Sequence, residues 1–401
     1  MLSQRRERRD RLTVLHLAQP VEGGVAGVVT DLAGAQVREG VRVVVACPPE
    51  GGLSRRVAAA GAELEHWAAG RELGPQVAAE TQRAYQLIRR VRPDVVHAHS
   101  AKAGLAARLA LRGRVPTVYQ PHAWSFEAVE GATAGLARAW ERWAARWTDR
   151  VLCVSEAERR AGEQAGIDAA WTVVPNGVDL SSFAVQADSS GNEDGAAQRA
   201  AARAALPALR AVPADAPLVV CVGRLCQQKG QQTLLKAWPR ITAHVPGARL
   251  VLVGDGPDRR LLGEKAPDQV LFAGASDQVG HWYTAADLAV LPSRWEGMAL
   301  TPLEAMACGR PVVVTDVGGA RECLPPGQED VCLVPPEDPE SLAAAITRLL
   351  RDADMRAYLG EAARKHVRAD FDVRQTAASV LRLYRELLGT PASASSEQAG
   401  R

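Results

Sequence analysis

Residues 292–319 read PSRWEGMALTPLEAMACGRPVVVTDVGG, and their pattern decides the fold. The preceding residues 286–291 form an apolar run of strand length, and Gly297 gives the backbone freedom to turn sharply beside Glu296. The run that follows has the form of a helix start, with Thr301 as N-cap, Pro302 at the first helical position and Glu304 three residues beyond the cap. After Ala-Cys-Gly-Arg-Pro a second apolar strand occupies 312–315. Strand, glycine turn and helix is the unit at which open α/β sheets bind ligands. Glu296 and Glu304 lie eight positions apart on that turn and helix. Closing a capping box would account for Glu304 alone; it would leave Glu296 and the glycine turn unexplained.

The same alternation extends in both directions. Toward the N-terminus, strands are expected at 12–18, 41–46, 94–97, 117–120, 151–154 and 172–174, and helices at 25–38, 53–60, 76–91, 103–111 and 134–147. A second series starts at Pro217, with strands at 218–222, 249–253, 270–272, 288–291, 312–315 and 331–334, and helices at 231–243, 257–265, 339–350, 353–367 and 373–388. Strands separated by helices at this spacing predict parallel, doubly wound sheets. Residues 184–216 are rich in Ala, Ser, Gly and Asp, and 187–198 carry no apolar period, so the segment reads as the interdomain boundary and part of it as a flexible loop. The expected division is 1–205 and 206–372, then a final helix at 373–388 and a disordered tail at 389–401.

A chain of 401 residues suits about two domains. It is 47% hydrophobic and 23% charged, with a formal net charge of +2, which gives no general field for nucleic acid. No stretch approaches the roughly 20 apolar residues that span a bilayer. The seven cysteines are odd in number and sit mostly in strand-like runs, so they read as buried thiols of a reducing cytoplasm. The polar N-terminal arm reads as a solvated tail and not as a signal peptide.

Several side chains could carry chemistry. Gly223-Arg224 ends a strand and Lys229-Gly230 opens the next helix, which places a guanidinium fork, an ammonium and free helix N–H groups where a diphosphate could sit. Gly254 and Gly274 lie in comparable strand-end turns, and Gly23 and Gly24 follow the first strand. His122 follows a first-half strand. His97 and His99 suggest a metal at first sight, but no third ligand is spaced with them, and they read as sheet-edge packing. Asp352-Ala353-Asp354 lies between two helices and reads as a turn and cap, so no catalytic metal is expected. Trp140, Trp143 and Trp147 recur at helical spacing among Arg138, Arg142 and Arg146; a membrane-interface face and a buried stripe both fit.

Taken together, Glu296 with Glu304, the loop GRLCQQKG at 223–230, the Pro121-His122 pair and Pro175-Asn176-Gly177-Val178-Asp179 resemble retaining glycosyltransferases of the GT-B fold, family four. The likeness covers nearly the whole chain. Alanine stands at 123, where the family usually has glycine after the histidine. The resemblance implies two Rossmann-like domains facing across a cleft, the donor bound mainly by the second and the acceptor by the first. It implies a nucleoside diphosphate sugar as donor, no cofactor or metal, and an acceptor that is a sugar, a lipid-linked glycan or a small molecule. Arg224 and Lys229 would hold the diphosphate, Glu296 and His122 the transferred sugar, and Glu304 the ribose. The backbone of Gly297, Met298, Ala299 and Leu300, with Gly23, Gly24, Gly223, Gly254 and Gly274, would line the donor site. The expected place of action is the cytoplasm, with peripheral contact at the inner membrane face as one option. An epimerase of the same fold and a non-catalytic sugar-nucleotide-binding subunit remain alternatives.

Overall fold

The computed structural model describes residues 11–70, 74–184 and 195–389. The N-terminal arm, nearly all of the expected tail and the acidic part of the 184–216 segment lie outside them. Among the described residues thirteen strands form two sheets. The first contains β1 (Thr13–Ala18), β2 (Arg42–Cys47), β3 (Glu63–His66), β4 (Val95–His99), β5 (Thr117–Gln120), β6 (Arg150–Cys153) and β7 (Trp171–Val173), in the order β3-β2-β1-β4-β5-β6-β7. The second contains β8 (Leu218–Val222), β9 (Arg249–Val253), β10 (Val270–Gly274), β11 (Leu288–Leu291), β12 (Val312–Thr315) and β13 (Leu333–Val334), in the order β10-β9-β8-β11-β12-β13. Every pairing within both sheets is parallel. The α/β, GT-B architecture expected from the sequence is therefore present.

Parallel strands covered on both faces are predominantly apolar, and β1, β4, β8 and β11 are buried along their full length. Each sheet reverses its strand order at one place, between β1 and β4 and between β8 and β11. Crevices outside the carboxyl ends of strands at such reversals are where ligands bind.

The helix Val373–Leu387 returns to the first sheet. Its Ala377, Val380, Leu381 and Tyr384 join a core with Val14, Val29 and Leu32, against the helix Gly24–Arg38. Part of the expected flexible segment is ordered: Gly195–Ala205 is helical, Ala202 is buried, and Arg199 and Arg203 pair with Asp287 of the second half. Alanine-rich sequence favours helix.

Other expectations met the structure as follows. All seven cysteines are free thiols, six of them buried. Asp352 caps the helix Ala353–Asp370 through the Met355 N–H. Trp140 and Trp147 are half-buried, while Trp143 and Leu136 are exposed. No described helix is long and apolar enough to cross a membrane. The histidine pair is a correction: His97 and His99 are wholly buried on β4, in the middle of the sheet, and not at an edge. A third histidine, His16, reaches them from β1, which spacing along the chain could not show because sheet register brings it there.

Candidate active site

The two strand reversals face each other across one cleft. Its walls include Glu22, Gly23, Gly24 and His122 from the first half, and Gly223, Arg224, Lys229, Glu296, Gly297, Met298, Ala299, Leu300 and Glu304 from the second. All but two of the residues picked from sequence thus come together. The two exceptions are Gly254 and Gly274, which do not line the cleft. Gly254 instead lies behind Gly223, where a Cβ would come within 2.0 Å of the Gly223 carbonyl oxygen, and its N–H bonds to Gly274.

Lys229 follows β8 on a short 3₁₀ turn, and its Nζ lies 2.5 Å from Glu296 Oε1. The Ser293 hydroxyl donates to the same oxygen at 2.7 Å. With side chains 18% and 10% exposed, this pair is mostly desolvated, so each charge depends on the other or on a ligand that replaces it. Gly230 has φ 64°, and a Cβ there would approach the Pro292 carbonyl oxygen to 1.9 Å. Only glycine lets the loop after β8 lie directly against the loop after β11, and that contact brings Lys229 to Glu296.

The helix Leu300–Ala307 starts two residues earlier than the sequence suggests, with Ala299 as N-cap. Thr301 is inside the helix, and its hydroxyl donates to the Val222 carbonyl of β8. Glu304 accordingly closes no capping box; its carboxylate accepts from the Tyr283 hydroxyl at 2.8 Å. Burial pushes the Glu304 carboxyl above its ordinary range, against the opposing pull of Tyr283 and Lys229. The free N–H groups of this helix start point the positive end of its dipole at the cleft.

On the opposite wall, His122 and Ala123 hold left-handed backbone conformations, φ 56° and 91°. Non-glycine residues do so only under outside restraint. Glu158 supplies it: its Oε1 accepts the Ala123 N–H at 2.6 Å and its Oε2 the Val154 N–H at 2.8 Å. Burial pushes the Glu158 carboxyl up to about 7.

Sequence reasoning left several contributors out. Asn176 donates to the Met298 carbonyl at 2.7 Å and ties the helix start to the first half. Its Pro-Asn-Gly context was visible but offered no role. Ser293 and Tyr283 orient the two glutamates, and Gln228 and Thr301 line the cleft. Only the fold brings Tyr283 to Glu304.

Residues 22–182 match the family model described as Glycosyltransferase Family 4, and residues 216–352 match Glycosyl transferases group 1. The lipopolysaccharide core biosynthesis mannosyltransferase LpcC of Rhizobium leguminosarum is 31% identical over 261 residues, covering 63% of this chain and 68% of that one. The chain belongs to the group 1 glycosyltransferases of family 4. Glycogen synthase of Mycobacterium tuberculosis is 32% identical to this glycosyltransferase over 312 residues, 73% of the chain and 69% of the relative. Among solved structures, Anabaena HepE in complex with UDP-glucose superposes with a TM-score of 0.75 at 25% identity, covering 93% of the glycosyltransferase and all of HepE.

Proposed function

We propose that this glycosyltransferase moves a hexose from a nucleoside diphosphate sugar to an acceptor hydroxyl with retention at the anomeric carbon and without a metal ion. The observation that carries the reading is the desolvated Lys229–Glu296 pair beside Arg224 and a helix N-terminus, directly across from His122. A diphosphate entering between Arg224 and Lys229 replaces the carboxylate as partner of the ammonium. Glu296 is then released to accept hydrogen bonds from sugar hydroxyls, and Glu304 from the ribose. HepE, which was solved with UDP-glucose, supports a sugar nucleotide as ligand, and LpcC, a mannosyltransferase by name, supports a hexose.

In the proposed reaction the bond from the anomeric carbon to the diphosphate oxygen breaks, and the acceptor oxygen bonds to the same face of that carbon. The acceptor proton passes to the departing phosphate oxygen. Negative charge grows on the diphosphate during this step, and Arg224, Lys229 and the helix dipole stabilise it where a metal would otherwise be needed. The acceptor is a sugar, a lipid-linked glycan or a small-molecule hydroxyl.

Thermal shifts with UDP, GDP and ADP and their sugars provide the test. One diphosphate should raise the midpoint by several degrees, Lys229→Ala should abolish the rise, and transfer should give the donor's anomer in the presence of EDTA. Equal shifts in both proteins, an inverted product, or an epimerised sugar nucleotide without transfer would overturn the reading.

A further inference from the structure

His16, His97 and His99 stand on the sheet face that packs against the helices Gly24–Arg38 and Val373–Leu387, among Val14, Ala18 and Val95. Apart from Gln120 of β5, the other buried side chains of that face are mostly apolar, so three fully buried imidazoles there need an account. Three of their ring nitrogens lie within 4.8 Å of one another, which resembles a metal site. His16 Nδ1 and His99 Nε2 are 2.9 Å apart, so these two rings form a hydrogen bond with each other.

That bond belongs to a longer chain. Gln36 Oε1 lies 2.8 Å from His16 Nε2, and His99 Nδ1 lies 3.0 Å from His122 Nε2. A neutral imidazole has one N–H and one bare nitrogen, so fixing one end of such a chain fixes every ring. Burial keeps the rings neutral, depressing His16 to about 4 and His122 to about 3. Gln36 Oε1 can only accept, so His16 donates from Nε2 and accepts at Nδ1. His99 then donates from Nε2 and accepts at Nδ1, and His122 donates from Nε2. His122 Nδ1 is left as a bare acceptor; it has no hydrogen-bond partner among the described residues, and its ring lines the cleft.

We propose that Gln36, His16 and His99 are positioning residues which set the tautomer of His122, so that its Nδ1 presents a hydrogen-bond acceptor to a hydroxyl of the transferred sugar. The chain runs from the helix Gly24–Arg38 through β1 and β4 to the loop after β5, and delivers a preference set at Gln36 into the cleft. An acceptor at that point selects for a sugar that carries a hydroxyl there over its deoxy counterpart. The role for the sugar rests on the proposed transferase reaction; the tautomer itself does not.

Protein labelled with ¹⁵N-histidine tests the chain directly, with His122→Ala assigning the signals. The wild type should show His122 with Nε2 protonated and Nδ1 bare. Gln36→Leu removes the terminal acceptor and should raise the Nδ1–H population, while Gln36→Glu keeps an acceptor and should preserve the wild-type pattern. In transfer assays Gln36→Leu should lower kcat/KM about tenfold for the intact donor. It should leave unchanged the rate with the monodeoxy donor whose missing hydroxyl costs the wild type most. A protonated Nδ1 in the wild type, an unchanged pattern in Gln36→Leu, equal losses for intact and deoxy donors, or stoichiometric metal on purified protein would each overturn the proposal. Absence of any turnover would count against the transferase reading, and the tautomer measurement would still decide the chain.

Discussion

The two glutamates of the cleft are used differently because their immediate partners differ. Glu296 faces an ammonium and a serine hydroxyl, whereas Glu304 faces a phenol. The Tyr283 hydroxyl holds the Glu304 pKa down against burial, so its removal raises that pKa further. A protonated carboxyl loses acceptor capacity for ribose hydroxyls, so binding that depends on the ionised form weakens as pH falls through the pKa. Tyr283→Phe should therefore weaken nucleoside diphosphate affinity roughly fivefold near neutrality and move the acid limb of the binding profile to higher pH. Calorimetric titration across pH checks this; an unchanged limb would show that Tyr283 only packs. Charged residues beside glycine turns announced themselves in the sequence, as Lys229 and Glu296 did. Ser293 and Tyr283 did not, because serine and tyrosine occur everywhere and Tyr283 meets its glutamate only through the fold.

Between elements, close approach of loops does what no single side chain can. The loop after β8 touches the loop after β11 at Gly230, and this contact sets the distance from Lys229 to Glu296. Gly230→Ala would combine a strained positive φ with a Cβ pressed to 1.9 Å from a backbone oxygen, which cannot move as a side chain end can. It should cost about 3 kcal/mol or more of stability, read as a lower denaturant midpoint, and abolish donor binding in whatever protein still folds. A variant of near wild-type stability would mean that the two loops separate freely. At this scale the long apolar strands were legible because burial on both faces demands continuous hydrophobic runs. The polar edge strand β3, with sequence ELEH, was not, since an edge can stay wet. Neither was the helix Glu156–Gln164, which carries no large apolar residue and whose start rests on the Ser155 cap.

Across the whole molecule, the cleft depends on how the second half meets the first. Both Glu322 carboxylate oxygens accept from the N-terminus of the helix Glu156–Gln164, at 2.7 Å from the N–H groups of Glu156 and Ala157. A carboxylate at that end is favoured by the helix dipole as well as by the two bonds. Asn176 to Met298 and Ser155 to Gly297 join the halves close by, next to the Glu158 that restrains the His122 turn. None of these pairs was readable from sequence, because each joins residues more than 100 positions apart. A transferase must hold its halves together to keep water from the activated sugar. Glu322→Ala removes the cap from a surface-accessible position, so its cost to global stability should stay near 1 kcal/mol. Its larger effect should be on closure. Hydrogen exchange at Glu156 and Ala157 should accelerate, and the ratio of donor hydrolysis to transfer should rise severalfold with little change in nucleotide affinity. Should hydrolysis and transfer fall in parallel while exchange at those amides stays slow, Glu322 would be a stabilising cap alone, and closure would have to rest on the bonds of Asn176 and Ser155.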